Sequence, residues 1–235
     1  ESIPAVYKIF GPGNQYVTCA KQLVQQDGIA IDMPAGPSEV AIYADETCNP
    51  AFVAADLLSQ AEHGRDSQVL LVASKDAILE EVRVEIDRQL SKLPRKELAA
   101  VSLSNSRFVW MEKQADAIAL LNAYAAEHLI LCCSDPGILA DSIRNAGSVF
   151  LGNYSPESVG DYASGTNHTL PTNGFARMYS GVSADSFVKK ITYQQLTPAG
   201  LAAIGQAVIS MAEAEGLQAH AEAVRVRMKS TAKNK

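Results

Sequence analysis

Glu39-Val40-Ala41-Ile42-Tyr43-Ala44, followed shortly by Asn49-Pro50, is the stretch whose reading decides the fold. The first six residues read as a strand. Asn49 suits a helix N-cap, and Pro50 suits the first helical position, where a missing N–H costs nothing. The helix that opens there is expected to run to about Glu62 and to stop near Gly64. The alternation then repeats. Residues 69–72 form a continuous apolar strand. A helix over about 75–92 carries Ile78, Val82, Ile86 and Leu90 at close to helical spacing. Residues 107–110 are strand-like, helix formers fill 113–126, and 129–133 is a strand. A helix at 136–146 and a strand at 148–151 follow. This order of unbroken apolar strands and helices predicts an α/β fold, a Rossmann-like, mostly parallel sheet covered by helices. Ligands are then expected beyond the carboxyl ends of the strands.

Outward from this core, a strand-like 5–10 leads into the turn Gly11-Pro12-Gly13-Asn14, and Pro34-Ala35-Gly36-Pro37-Ser38 makes a second turn. Neither matches G-x-G-x-x-G. Residues 153–182 read as one long Gly/Ser/Asn/Pro-rich loop, and loops of that length in compact domains are usually functional or disordered. A short helix near 184–190, a helix from Thr197-Pro198 to Gly216 and a last helix over 217–228 form a small helical C-terminal appendage. It is too small to bury its apolar face alone and is expected to pack on another domain or chain.

The composition is that of a soluble globular chain: 235 residues, 47% hydrophobic, 20% charged, net charge −6. No basic block marks a nucleic-acid partner. No apolar run approaches the roughly 18 residues a membrane span needs, and no signal peptide is evident. Cys19, Cys48, Cys132 and Cys133 make neither a CxxC motif nor a disulfide framework, so reduced thiols in the cytoplasm are expected. The chain starts at Glu1 and meets a strand almost at once, which reads as a beginning in mid-domain.

All four histidines sit in short polar motifs: His63, His128, His168 and His220. Imidazole binds transition metals and moves protons near neutral pH, so one shared site is expected. Gln60 and His63, three apart at a helix end, leave the same face. A carboxylate and another imidazole would complete a nitrogen/oxygen set suited to zinc or a similar divalent ion. Alone, the spacing is a weak signal, since Gln is a rare ligand and an ordinary helix cap explains the pair. Glu127-His128 could be paired proton-transfer groups or an exposed polar corner. Ser38 could touch a ligand or serve its turn.

Four segments closely resemble histidinol dehydrogenase, in the same order and over essentially the whole chain. They are Asp32-Met33-Pro34-Ala35-Gly36-Pro37-Ser38-Glu39-Val40, Asp56-Leu57-Leu58-Ser59-Gln60-Ala61-Glu62-His63-Gly64, Glu127-His128-Leu129, and Ser158-Val159-Gly160-Asp161-Tyr162-Ala163-Ser164-Gly165-Thr166-Asn167-His168. The resemblance implies NAD-dependent oxidation of L-histidinol through L-histidinal to L-histidine by a zinc-dependent homodimer. By motif, the zinc ligands would be Gln60, His63, Asp161 and His220, the last supplied by the partner's tail. His128 would take the alcohol proton, and Glu127 would activate the water that attacks the aldehyde stage. Ser38, Gln60, His63, His128, Asp161, Glu215 and His220 would form the substrate pocket, and Asn14 would contact NAD. His168 is left without a role. Family members are roughly twice as long, and the likeness is to their carboxyl-terminal half. Residues 1–38 would then end a nucleotide-binding-type α/β domain. Residues 39–182 would be the second half of an α/β domain, and 183–235 a dimer-clasping tail. The alternatives are a zinc- or imidazole-binding fragment without turnover, and a hydrolase that uses a metal-bound water and no NAD.

Overall fold

Glu39–Ala44 is buried at every position and has a parallel neighbour on each side. A strand covered on both faces has no polar face to keep, which accounts for its apolar run. The computed structural model describes residues 4–233. It divides between Val188 and Lys189 into two compact units.

The first unit contains β1 (Lys8–Ile9), α1 (Gln15–Val24), β2 (Ala30–Ile31), β3 (Glu39–Ala44), α2 (Pro50–Ala61), β4 (Gln68–Ala73), α3 (Asp76–Leu90) and α4 (Lys96–Ser104). It continues with β5 (Arg107–Trp110), α5 (Gln114–Tyr124), β6 (His128–Cys132), α6 (Pro136–Ala140), β7 (Ser148–Leu151) and α7 (Glu157–Tyr162). β1 and β2 form a small parallel pair. The other five strands form one parallel sheet in the order β5-β4-β3-β6-β7. The chain winds outward from β3 to β5 and returns to the far side of β3 for β6 and β7. The α/β sheet expected from the sequence is therefore present.

Pleating sends alternate side chains into two cores. Val40, Ile42, Val69, Leu71 and Ile130 pack under α2, α3 and α4, against Val53, Leu57, Val82 and Ala99. Ala41, Tyr43, Leu70, Val72, Leu129 and Leu131 pack under α5 and α6, against Ala117, Leu121 and Leu139. Each buried Val, Leu or Ile among these contributes about 1.5–3 kcal/mol. Helix α2 starts where the sequence said. Asn49 Oδ1 accepts the Ala51 N–H at 3.0 Å, and Pro50 follows.

Other elements escape the sequence pattern. α1 opens at the turn that follows β1, where Asn14 Oδ1 accepts the N–H groups of Tyr16 and Val17. The buried Lys21 ammonium and the Asp32 carboxylate pair behind this turn and hold Gly11 through its carbonyl and N–H. α4 has no side-chain cap and escaped detection. The stretch expected as a 153–182 loop holds α7, and the helix expected near 184–190 is a single 3₁₀ turn, Ala184–Phe187.

The second unit contains α8 (Pro198–Ala214) and α9 (Gln218–Lys233). Thr197 caps α8 by accepting the Gly200 N–H at 3.0 Å. Gly216 takes φ +72°, and the Leu217 N–H reaches the Ala212 carbonyl at 2.8 Å, which ends the helix. Ile209, Ala212 and Ala221 are buried with Val224 and Met228 beside them, and Arg225 pairs with Glu213. Ile204, Val208 and Met211 remain exposed on α8. Among the described residues, no helix is long and apolar enough to cross a membrane.

Candidate active site

The site motifs converge at the amino ends of the strands, not at the carboxyl ends expected from the fold class. Glu39 opens β3 and His128 opens β6. α2 leaves the carboxyl end of β3, crosses the sheet once and delivers Gln60 and His63 back to the amino edge. α7 does the same after β7 and brings Asp161. The motif residues thus sit at helix ends and strand starts, and one crossing puts both on the same edge. The opposite edge, between β3 and β6, is closed by Asp45, which accepts from the Ser134 and Thr47 N–H groups.

Glu127 and His128 are no exposed corner: their relative exposures are 5% and 4%. Ala125 ends α5 in the left-handed region at φ +56°, turning the chain directly into the pair. Glu127 Oε2 accepts the Glu39 N–H at 3.0 Å. The Glu127 carbonyl accepts the Ser148 N–H, and a Cβ on the neighbouring Gly147 would lie 2.4 Å from that oxygen. Only glycine allows β7 to start so close. His128 Nδ1 lies 3.4 Å from the Glu39 carbonyl and 3.7 Å from Glu127 Oε2. Its Nε2 faces Asp161 Oδ1 at 3.7 Å, too far for a hydrogen bond, and is buried without a hydrogen-bond partner among the described residues.

Beside the pair, ligand atoms of His63, Glu157 and Asp161 all lie within 4.8 Å of one another. With its nitrogen turned toward Glu157, the Gln60 amide donates to both carboxylate oxygens at 3.0 Å. Of the residues predicted from sequence, the structure therefore gathers Gln60, His63, Glu127, His128 and Asp161. Ser38 is half-buried. It lines a cleft of about 280 Å³ with Asn14, His63, Arg65 and Asp66. His168 is exposed. Glu215 caps the C-terminus of α8 and His220 lies in the first turn of α9, both exposed, in the second unit.

Three acids were missed: Glu39, Asp56 and Glu157. Glu157 and Asp161 lie one turn apart on α7, a spacing that the loop reading concealed. Pro156 before Glu157 was the available signal. Glu39 and Asp56 stood in plain view as charges at the start of an apolar strand and inside an apolar helix.

Burial dominates the electrostatics. It pushes Glu39 up to about 7, Asp56 to about 7, Glu127 to about 8 and Glu157 to about 9. Mutual repulsion adds to this at Glu127 and Glu157. Burial pushes His128 down to about 4 against the pull of Asp161, so its imidazole is neutral at physiological pH. A cation among these carboxyls would favour their ionised forms.

The folded carboxyls hold protons that the unfolded chain has released, so this contribution is complete below the unfolded pKa near 4.5 and is lost as pH rises through about 7 to 9. His128 acts oppositely: its contribution is present above 6.5 and is lost as pH falls through about 4. Without added metal, urea unfolding should give a stability lower at pH 9 than at pH 7 by about 3 kcal/mol, for roughly one extra bound proton over two pH units. Equal or greater stability at pH 9 would contradict this picture of the buried acids.

The histidinol dehydrogenase family profile matches residues 1–228. Histidinol dehydrogenase of Bacteroides fragilis (strain YCH46) is 60% identical over 233 residues, which cover 99% of this chain and 54% of the relative. The chloroplastic enzyme of Arabidopsis thaliana is 56% identical over 232 residues, covering 97% and 50%. The crystal structure of histidinol dehydrogenase from Elizabethkingia anophelis is 58% identical and superposes with a TM-score of 0.94, over 98% of this chain and 53% of that one. The chain spans about half the length of the curated relatives it matches. With its fold and nearly its whole length matched, the chain belongs to the histidinol dehydrogenase family.

Proposed function

We propose that this chain carries the proton-transfer and metal-binding machinery for NAD-dependent oxidation of L-histidinol, through L-histidinal, to L-histidine in histidine biosynthesis. The observation that supports this most is the buried Glu127–His128 pair beside the His63–Glu157–Asp161 cluster. Two successive oxidations, one of an alcohol and one of a hydrated aldehyde, call for two proton acceptors. The neutral His128, with Nε2 buried and unpartnered, takes the hydroxyl proton as hydride leaves the carbinol carbon. Glu127, ionised when a cation lies among the carboxyls, takes a proton from the water that adds to the aldehyde, and a second hydride then leaves. The Glu39 N–H, bonded to Glu127 Oε2, holds that carboxylate in place.

The donor set fits zinc: an imidazole, a carboxylate and an amide are at hand in the first unit. Gln60, His63, Asp161 and the partner subunit's His220 would hold the ion, which would supply positive charge to fix and polarise the substrate's nitrogen and oxygen atoms. NAD would receive the hydride. Ser38, Glu215 and His220 complete the proposed substrate pocket. Asn14 is the proposed NAD contact. Its oxygen already caps α1, so its amide nitrogen is the group that can reach a cofactor. The assembly is a homodimer. Its compartment is cytoplasmic, a reading supported by four free cysteines.

The test joins this chain behind the amino-terminal half of the Bacteroides fragilis relative. With histidinol, NAD and zinc, nicotinamide absorbance should report two NADH per histidinol consumed. Zinc binding with no turnover would favour a non-catalytic fragment, and turnover without NAD would favour a hydrolase. Either result overturns the proposal.

A further inference from the structure

We infer that Glu157 is a positioning residue for Gln60: its carboxylate takes the amide N–H₂ group, and this leaves the amide oxygen as the atom of Gln60 offered to a cation. The inference rests on the metal site proposed above, of which Gln60 is a member. Glu157 is not needed there as a ligand, yet it is buried to 2% beside a Gln60 that is buried to 0%. A buried amide next to a buried carboxyl must be paired on both sides or both are destabilised.

The two ends of an amide have nearly the same shape, so the neighbours decide which faces where. A carboxylate, the form a bound cation favours at Glu157, only accepts. An amide oxygen set against it would put acceptors face to face at hydrogen-bonding distance. With its nitrogen turned to this side, the amide donates to Oε1 and Oε2, each at 3.0 Å. An oxygen of this carboxylate also lies within 4.8 Å of ligand atoms on His63 and Asp161, which places the oriented amide at the edge of the cluster. α7 explains the economy of the arrangement. Residues 157 and 161 are one turn apart on the same helix face. One short helix thus supplies a ligand, Asp161, and the acceptor that aligns another, Gln60. An amide is a weak ligand if it can turn either end to the metal, and an acceptor-only neighbour removes that freedom.

The experiment measures zinc affinity of the full 235-residue chain by competition with a chromophoric chelator, with thermal unfolding as a check on folding. Glu157→Gln keeps shape but can meet Gln60 with either end of its amide, so it should weaken zinc about 10–100-fold, as loss of an outer partner of a ligand does. Glu157→Asp stays an acceptor and should lose less. In a Gln60→Ala background, Glu157→Gln should cause no further loss. Losses that multiply in the double variant would make Glu157 a ligand in its own right and overturn the inference. So would an unchanged affinity in Glu157→Gln while His63→Ala weakens zinc, which leaves the metal site standing. If His63→Ala itself changes nothing, the proposed metal site falls and the inference falls with it.

Discussion

His128→Gln, made in the complete enzyme, should slow oxidation of histidinol by about 10²–10⁴-fold, the usual loss of a general base. Glu127→Gln should slow histidinal oxidation by a similar factor and histidinol oxidation by less. The asymmetry follows from the geometry. His128 Nε2 is the buried nitrogen with no partner, aimed at Asp161. Glu127 is fastened by the Glu39 N–H on the other side of the imidazole. Gln preserves the size of each side chain, so the backbone contacts around Gly147 should survive. Single-turnover rates with each substrate separate the two steps. Equal, small effects on both steps would remove the roles proposed for the pair.

A second large effect is expected from mixing chains. Glu215 and His220 belong to the helical unit that begins at Lys189, whereas His63 and Asp161 belong to the sheet unit. If the helical unit completes the site of a partner, full-length His63→Ala and His220→Ala chains should each be nearly inactive. Mixed under conditions that permit subunit exchange, they should recover roughly a quarter of the native activity. Half of the dimers are then mixed, and each mixed dimer holds one intact site and one with both lesions. If mixing restores nothing, His220 serves its own chain or does not serve the metal.

The parallel sheet was legible in the sequence because unbroken apolar runs such as 40–44 occur chiefly where both faces are covered. The start of α2 was legible because Asn49-Pro50 states its capping chemistry locally. Burial of Glu127 and His128 was not legible. It depends on β7 starting against Gly147 and on Glu39 lying alongside, contacts between residues far apart in the chain. α7 was hidden for a different reason: six residues give too little periodicity to distinguish a helix from a polar loop. With it went Glu157. The placement of the site at the amino edge was missed because a rule about strand ends was applied where helix ends carry the motifs.

The parallel pairing has a consequence for how the molecule comes to exist. β3 is hydrogen-bonded to β4, which follows it closely, and to β6, which does not: Val40 lies beside His128. Closing that long intervening segment must precede any reward from β3–β6 contacts, and such non-local pairing is intrinsically slow. Glu39, His63, His128 and Asp161 are brought together only after that step. Until β6 pairs with β3, the acids and imidazoles of the site remain apart. An ion that needs the finished cluster cannot speed this search. The proposed ion would act by holding the completed arrangement, as a latch on unfolding rather than a guide to folding.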